Sequence, residues 1–488
     1  MKTLFMILLP VMFLTGLSFV TEQPYSDETQ ACIDCHSTIT PGIVKDWEKS
    51  LHSKTTINDA LKKEMLARRI SITENNSNVS GEIIIGCYEC HSQNIESHAD
   101  NFDHFGYQIN VVVSPKDCAV CHPAEVEQYT GTKKFHANDN LTKNPTYHAL
   151  VKTTTAIKDV VDGEIEISRE SEINANETCY ACHGTEVKVD GMRIIESDLG
   201  EIEVPNLTNW PNQGVGRINP DGSRGACTSC HPRHSFSIEV ARKPHTCGQC
   251  HLEPDVPAYN VYKESKHGNI FESKKSEMTF DSVPWVVGKD FTVPTCASCH
   301  NSLITDENGV VVSERTHNFS SRIWVRIFGL IYSHPQIAKG STYEIVNQDG
   351  LGLPTTFDGR LADGLIDETE QKNRKDIMSG LCKSCHSSSW VSSQLSKIEK
   401  VNKEADDIVA AATKLMLHAW EMKIENPENP FDENIENLWV KQWLFYANSI
   451  RYATAMMGPD YAAFKNGWTE ASHNLQKMND LIKQKSNK

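Results

Sequence analysis

The sequence predicts a mainly α chain in two parts. A long irregular region, with little sheet and packed around something other than side chains, precedes a C-terminal region of long helices. Three observations predict this. All sixteen cysteines fall in one repeated word, C-x-x-C-H. The hydrophobic fraction, 39%, is low for a chain of 488 residues, so aliphatic side chains alone do not fill the interior. After Trp390, apolar residues recur at helical spacing.

Taken in order, MKTLFMILLPVMFLTGLSFVTEQ carries one lysine and then an uncharged apolar run. Its length and position fit a secretory signal, cut near residue 22, rather than a spanning helix. No later segment reads as a membrane span, so the mature chain is expected to be exported to the periplasm or an equivalent extracytoplasmic compartment. Residues 23–395 read as one domain of short helices and loops, broken often by Gly, Pro, Asn and Asp. Short strands are expected at EIIIG (82–86) and NVVV (110–113). Residues 396–488 form the helical region, with helices expected over 396–422, 438–457 and 468–482 and a break at PENPFDEN (427–434). The formal charge of −16 and the lack of a basic patch argue against nucleic acid. They suit docking to a basic redox protein by electrostatic steering.

The repeated word occurs eight times: Cys32, Cys35, His36; Cys87, Cys90, His91; Cys118, Cys121, His122; Cys179, Cys182, His183. It continues at Cys227, Cys230, His231; Cys247, Cys250, His251; Cys296, Cys299, His300; and Cys382, Cys385, His386. Two thiols at this spacing reach the two vinyl groups of a haem, and the adjacent histidine ligates its iron. Disulfides or zinc are the competing readings. Eight words, no spare cysteine and an export signal leave those little room, so eight covalently bound c-type haems are expected.

Twenty histidines less the eight in the words leave twelve. A haem that only relays electrons takes two axial ligands, whereas one that binds a small substrate keeps a position open. Seven histidines stand in suggestive words as second ligands: His52, His104, His136, His148, His234, His267 and His317. That number would leave one haem with a free face. His98, His245, His334, His418 and His473 are not excluded by spacing, and a lone histidine is otherwise a packing or surface residue.

With its eight words, RHSFSIEVARKPHTCGQCH (233–251), SKHGN, PTCASCH (294–300) and THNFSSR, the chain resembles the hydroxylamine oxidoreductase family of octahaem cytochromes c, over nearly all its mature length. The resemblance implies a mainly helical, homotrimeric protein (or a multiple of the trimer) with seven bis-histidine haems. It also implies a catalytic haem at the fourth word, with His183 as proximal ligand. In family members that oxidise hydroxylamine or hydrazine, a tyrosine four residues before the tryptophan of a C-terminal G-W pair bonds to this ring from a neighbouring subunit. An adjacent Asp-His pair follows the sixth word. Here that tyrosine position is Phe464, before Gly467-Trp468. Tyr461 lies about one helical turn away and reads as a packing aromatic. The acidic position is Asp255 and its histidine neighbour is replaced by Val256.

An uncross-linked haem suits pushing electrons into a ligand. The expected function is therefore reduction of nitrite to nitric oxide, or further to hydroxylamine or ammonia, with Asp255 delivering protons. Two alternatives remain: oxidation of hydroxylamine or hydrazine, and a non-catalytic electron-transfer subunit. The expected partners are a small nitrogen-oxide or hydroxylamine-type substrate and a redox protein such as a small cytochrome c. No C-x-x-C-K word occurs, which sets aside the lysine-ligated nitrite reductases.

Overall fold

A computed structural model of the chain describes residues 24–197, 200–326, 336–346 and 364–487. The leader at 1–22 and His334 lie outside the described residues. The protein is mainly α, with only small sheets.

Each C-x-x-C-H word folds as a single helical turn. In Cys87–His91, Cys179–His183 and Cys296–His300 that turn is the whole helix. The first word lies inside Asp27–Ile39. In the others the histidine N–H donates back to the carbonyl of the first cysteine, at 2.9 Å for His122 and His386 and 3.0 Å for His231 and His251. Residues three and four apart on a helix are neighbours, so both sulfurs leave from one face with the imidazole beside them. The turns are short because they start and stop abruptly. Ser26 caps the first by accepting from Thr29 N–H at 3.1 Å. Pro115 and Pro244 open two others at a position where no donor is lost.

Two strand expectations change on inspection. EIIIG joins no sheet and begins in a turn: Ile84 N–H bonds the Pro24 carbonyl at 2.9 Å and Ile85 N–H that of His52 at 3.1 Å. Trp47 Nε1 donates to the Ile85 carbonyl at 2.9 Å. Three separate segments satisfy its backbone, so no ladder is needed. The strand expected at 110–113 lies earlier, at Tyr107–Asn110, paired with Asn101–His104. Two further hairpins were not anticipated, Ile157–Val161 with Glu164–Arg169 and Lys188–Ser197 with Gly200–Thr208. The first turns on Asp162-Gly163, both at positive φ, the pairing that a tight hairpin turn favours.

The C-terminal helices follow their periodicity. Ser388–Glu421 is one helix of 34 residues. Asn434–Val440 runs through a π-helical segment, Lys441–Tyr446, into Ala447–Met456, and Trp468–Ser486 closes the chain. Val409, Met416, Ile435, Trp439, Trp443 and Met478 form their fully buried centre, each contributing about 1.5–3 kcal/mol on burial. Trp439 Nε1 donates to Thr413 Oγ1 at 3.0 Å, and Arg451 pairs with Asp406 inside the same packing.

Candidate functional site

Imidazole–metal bonds are about 2 Å long, so two imidazoles on opposite faces of one iron have ring centres about 6 Å apart. Four motif histidines face a second ring at that separation: His36 and His104 at 6.2 Å, His122 and His52 at 6.3 Å, His231 and His317 at 6.5 Å, His386 and His267 at 6.1 Å. His91 lies within electrostatic reach of His234. The Nδ1 atoms of His52, His104, His136, His148 and His317 are buried without a hydrogen-bond partner, so the protein's own hydrogen bonds do not account for these rings. These residues fit haem.

The sulfurs connect the words. The Cys32 thiol lies beside that of Cys87, Cys118 beside Cys227, Cys182 beside Cys250 and Cys247 beside Cys296, all of them free of disulfides. Cys90 lies within electrostatic reach of Cys121, Cys230 of Cys247 and Cys250, and Cys299 of Cys382 and Cys385. The contacts trace a line through the first, second, third, fifth, sixth, seventh and eighth words. The fourth joins that line at the sixth.

The backbone just after the fourth word is tightly constrained. Gly184, directly after His183, has φ +96°, and a Cβ there would lie 2.2 Å from Arg217 N. A Cβ on Gly214 would lie 2.2 Å from Gly184 N. Only glycine lets these strands of chain cross so closely. The crossing brings the Ala137 carbonyl to 3.3 Å from His183 Nδ1, fixing which ring nitrogen faces outward. Burial lowers the His183 pKa, partly offset by that carbonyl and by Asp255.

Asp255 acts electrostatically on His183, Cys179 and Cys182 together. It is half-buried, and burial raises its pKa against the pull of the Asp255 and Val256 N–H groups and His183. Its own carbonyl accepts from Asn448 Nδ2 at 2.9 Å, tying the loop to the C-terminal helices. Val256 packs with Val261, Tyr452 and Tyr461. Tyr461 is buried, and its hydroxyl donates to Glu253 Oε2 at 2.9 Å. Phe464, by contrast, is 70% exposed, so within one chain it packs against nothing at the fourth word.

The ring contacts among the described residues include none for His183, His251 or His300 at the bis-imidazole separation. His251 instead faces Lys134, whose Nζ stands 3.2 Å from Nε2; burial and this ammonium push the His251 pKa down to about 3. Lys134 also reaches Cys230, His183 and His300. Sequence reasoning passed it over, although it stands in KKFHA two positions before His136. His136 itself precedes the carbonyl that braces His183. Of the unassigned histidines, His245, His418 and His473 are exposed, and both nitrogens of His98 are bonded to aspartates.

Two family models match the chain: "Seven times multi-haem cytochrome CxxCH" over residues 219–323 and "Cytochrome c554 and c-prime" over 27–107 and 117–202. A probable nitrite reductase-hydroxylamine oxidoreductase fusion protein of Kuenenia stuttgartiensis is 23% identical over 283 residues, which is 55% of this chain and 25% of that protein. The chain thus spans about a quarter of that relative's length. A solved structure described as a hypothetical multiheme protein is 40% identical, with TM-score 0.88, covering 95% of this chain and 96% of its own. A reducing HAO-like protein complex of Kuenenia stuttgartiensis shares the fold at 18% identity and TM-score 0.62, over 94% of this chain and 85% of the other.

Proposed function

We propose that this chain, which belongs to the multihaem c-type cytochromes and shares the fold of the hydroxylamine-oxidoreductase-like proteins, carries eight haems and reduces nitrite at the fourth. The observation that carries the reading is Asp255. It is a half-buried carboxyl within electrostatic reach of both cysteines and the histidine of one word, and among the described residues no ring faces that histidine, His183, at the bis-imidazole separation.

The haem supplies an iron able to bind a small nitrogen ligand and to pass it electrons. The chain's residues do the rest. Cys179 and Cys182 would anchor the fourth haem and His183 would ligate it, held in register by the Ala137 carbonyl. Asp255 would supply the proton, and its raised pKa keeps more of it protonated. Nitrite and two protons with one electron give nitric oxide and water; further reduction consumes more of both. The remaining words, with His104, His234, His52, His317, His267, His136 and His148 as second ligands, would hold a relay that feeds the fourth site through the sixth.

The tail supports reduction over oxidation. Phe464 has no phenolic oxygen, and the Tyr461 hydroxyl is engaged by Glu253, so neither is available to modify the ring. The exposure of Phe464 fits a homotrimer, or a multiple of it, in which a neighbouring copy covers this ring. We further propose an extracytoplasmic location and a small redox protein as electron donor. Steady-state turnover of nitrite with a low-potential donor, set against hydroxylamine with an acceptor, tests the direction. Faster hydroxylamine oxidation would overturn it.

A further inference from the structure

Among the described residues, His98 is a histidine outside the words with both ring nitrogens bonded to carboxylates. Nδ1 lies 3.0 Å from Asp100 Oδ1 and Nε2 3.2 Å from Asp117 Oδ2, with Asp221 Oδ2 at 4.0 Å. All four side chains are at most 1% exposed. A neutral imidazole has a single N–H, so bonding two carboxylates requires the imidazolium. Burial opposes that charge, but the Asp100 and Asp117 hydrogen bonds prevail and raise the His98 pKa to about 9.

The carboxylates are held as acceptors. Asp100 takes the Val112 N–H at 2.7 Å, and Asp117 takes the Ser114 N–H at 2.7 Å and Asn94 Nδ2 at 2.8 Å. Asp221 takes the Ser114 hydroxyl at 2.7 Å and the Ser223 N–H at 2.9 Å. Three carboxylates against one imidazolium leave negative charge in excess inside the protein. The neighbouring cation, Lys116, is exposed and turns to Ser97 Oγ, where water screens it.

This charge sits beside two of the words. Asp117 directly precedes Cys118 and acts electrostatically on Cys118 and Cys90. Asp100 and Asp117 both act on His91. A hydrogen-bonded path joins them: the Asn110 carbonyl stands 2.7 Å from His91 Nδ1, Asn110 Nδ2 donates to the Val112 carbonyl, and the Val112 N–H donates to Asp100.

We propose that the His98–Asp100–Asp117–Asp221 cluster is an electrostatic bias on the relay, lowering the reduction potentials of the haems at the second and third words. The inference rests on the reading that those words hold haem. Each ferric iron gains one electron on reduction, and buried negative charge nearby disfavours that gain. Electrons arriving at these words are thereby urged onward through the fifth word to the sixth.

The test is a spectroelectrochemical titration of the full, haem-loaded protein, with individual haems resolved by electron paramagnetic resonance. Asp221→Asn removes one charge with little change of shape and is expected to raise the midpoints of two haems, leaving the others in place. Asp100→Asn is expected to raise the same two, Asp221→Glu to restore wild-type midpoints, and Glu96→Gln, a solvent-exposed neighbour, to change nothing. Unchanged or lowered midpoints in both asparagine variants, or a uniform shift of all haems, would overturn the proposal. So would loss of haem from both, which would make the cluster purely structural. The readout is potential rather than turnover, so an upward shift in a protein inert to nitrite would sink the reductase reading and leave this one standing.

Discussion

Replacing Asp255 with asparagine probes the chemistry of the fourth site with little disturbance to its architecture. The loop is tied by the Asp255 main-chain carbonyl to Asn448, a bond that survives the change. The N–H groups of Asp255 and Val256 that the carboxylate accepts can be accepted equally by an amide oxygen. What disappears is the transferable proton. A positioned general acid contributes roughly 10²–10⁴-fold, which corresponds to about 3–5 kcal/mol of barrier. Nitrite turnover should fall by that factor with little change in KM. Because burial raises the Asp255 pKa, the protonated form is favoured as pH falls. The wild-type rate should therefore climb toward acid, and the variant's profile should lose that limb. Turnover within a few-fold of wild type, with the acid limb intact, would refute the assignment.

Three other outcomes follow from the geometry. Pyridine-haemochrome analysis should return eight haems per chain, and carbon monoxide should bind one of them; His183→Ala should alter the spectrum of that carbon monoxide adduct while sparing the other seven haems. Mass spectrometry of haem peptides should recover none joined to residues 458–468, whereas a tail peptide attached to haem would restore the oxidative reading. Arg451→Met should remove one of the two cations acting on the buried Asp406 carboxyl, Arg326 remaining, and cost about 1–3 kcal/mol, seen as a lowered thermal midpoint with haem content unchanged.

The haem words were legible because their chemistry is local: cysteines at i and i+3 and a histidine at i+4 share one helical turn whatever surrounds them. The C-terminal helices were legible for a related reason, since Val409, Met416, Trp439 and Trp443 repeat at the helical period and bury together. The hairpins were not. Val160 and Ile165 are exposed, so alternation there reports no buried face, and the Asp162-Gly163 turn carried the signal unread. EIIIG misled for the opposite reason: its apolar run is clamped by Pro24, His52 and Trp47, partners no local pattern announces. The site divided likewise. Asp255 was singled out through a family spacing, whereas Lys134 beside His251 and Asp117 and Asp221 beside His98 become neighbours only in three dimensions.

If the words hold the proposed relay, the approach of Cys182 to Cys250, where the fourth word meets the line among the described residues, has a kinetic consequence. A terminus served by one neighbour receives its electrons in sequence, and the interval between arrivals is set by how quickly that neighbour refills. A ligand needing one electron can depart after the first; one needing several must stay bound through the gaps. Donor supply upstream, as much as the chemistry at the terminus, would then decide how far nitrogen is carried down in oxidation state before it is released.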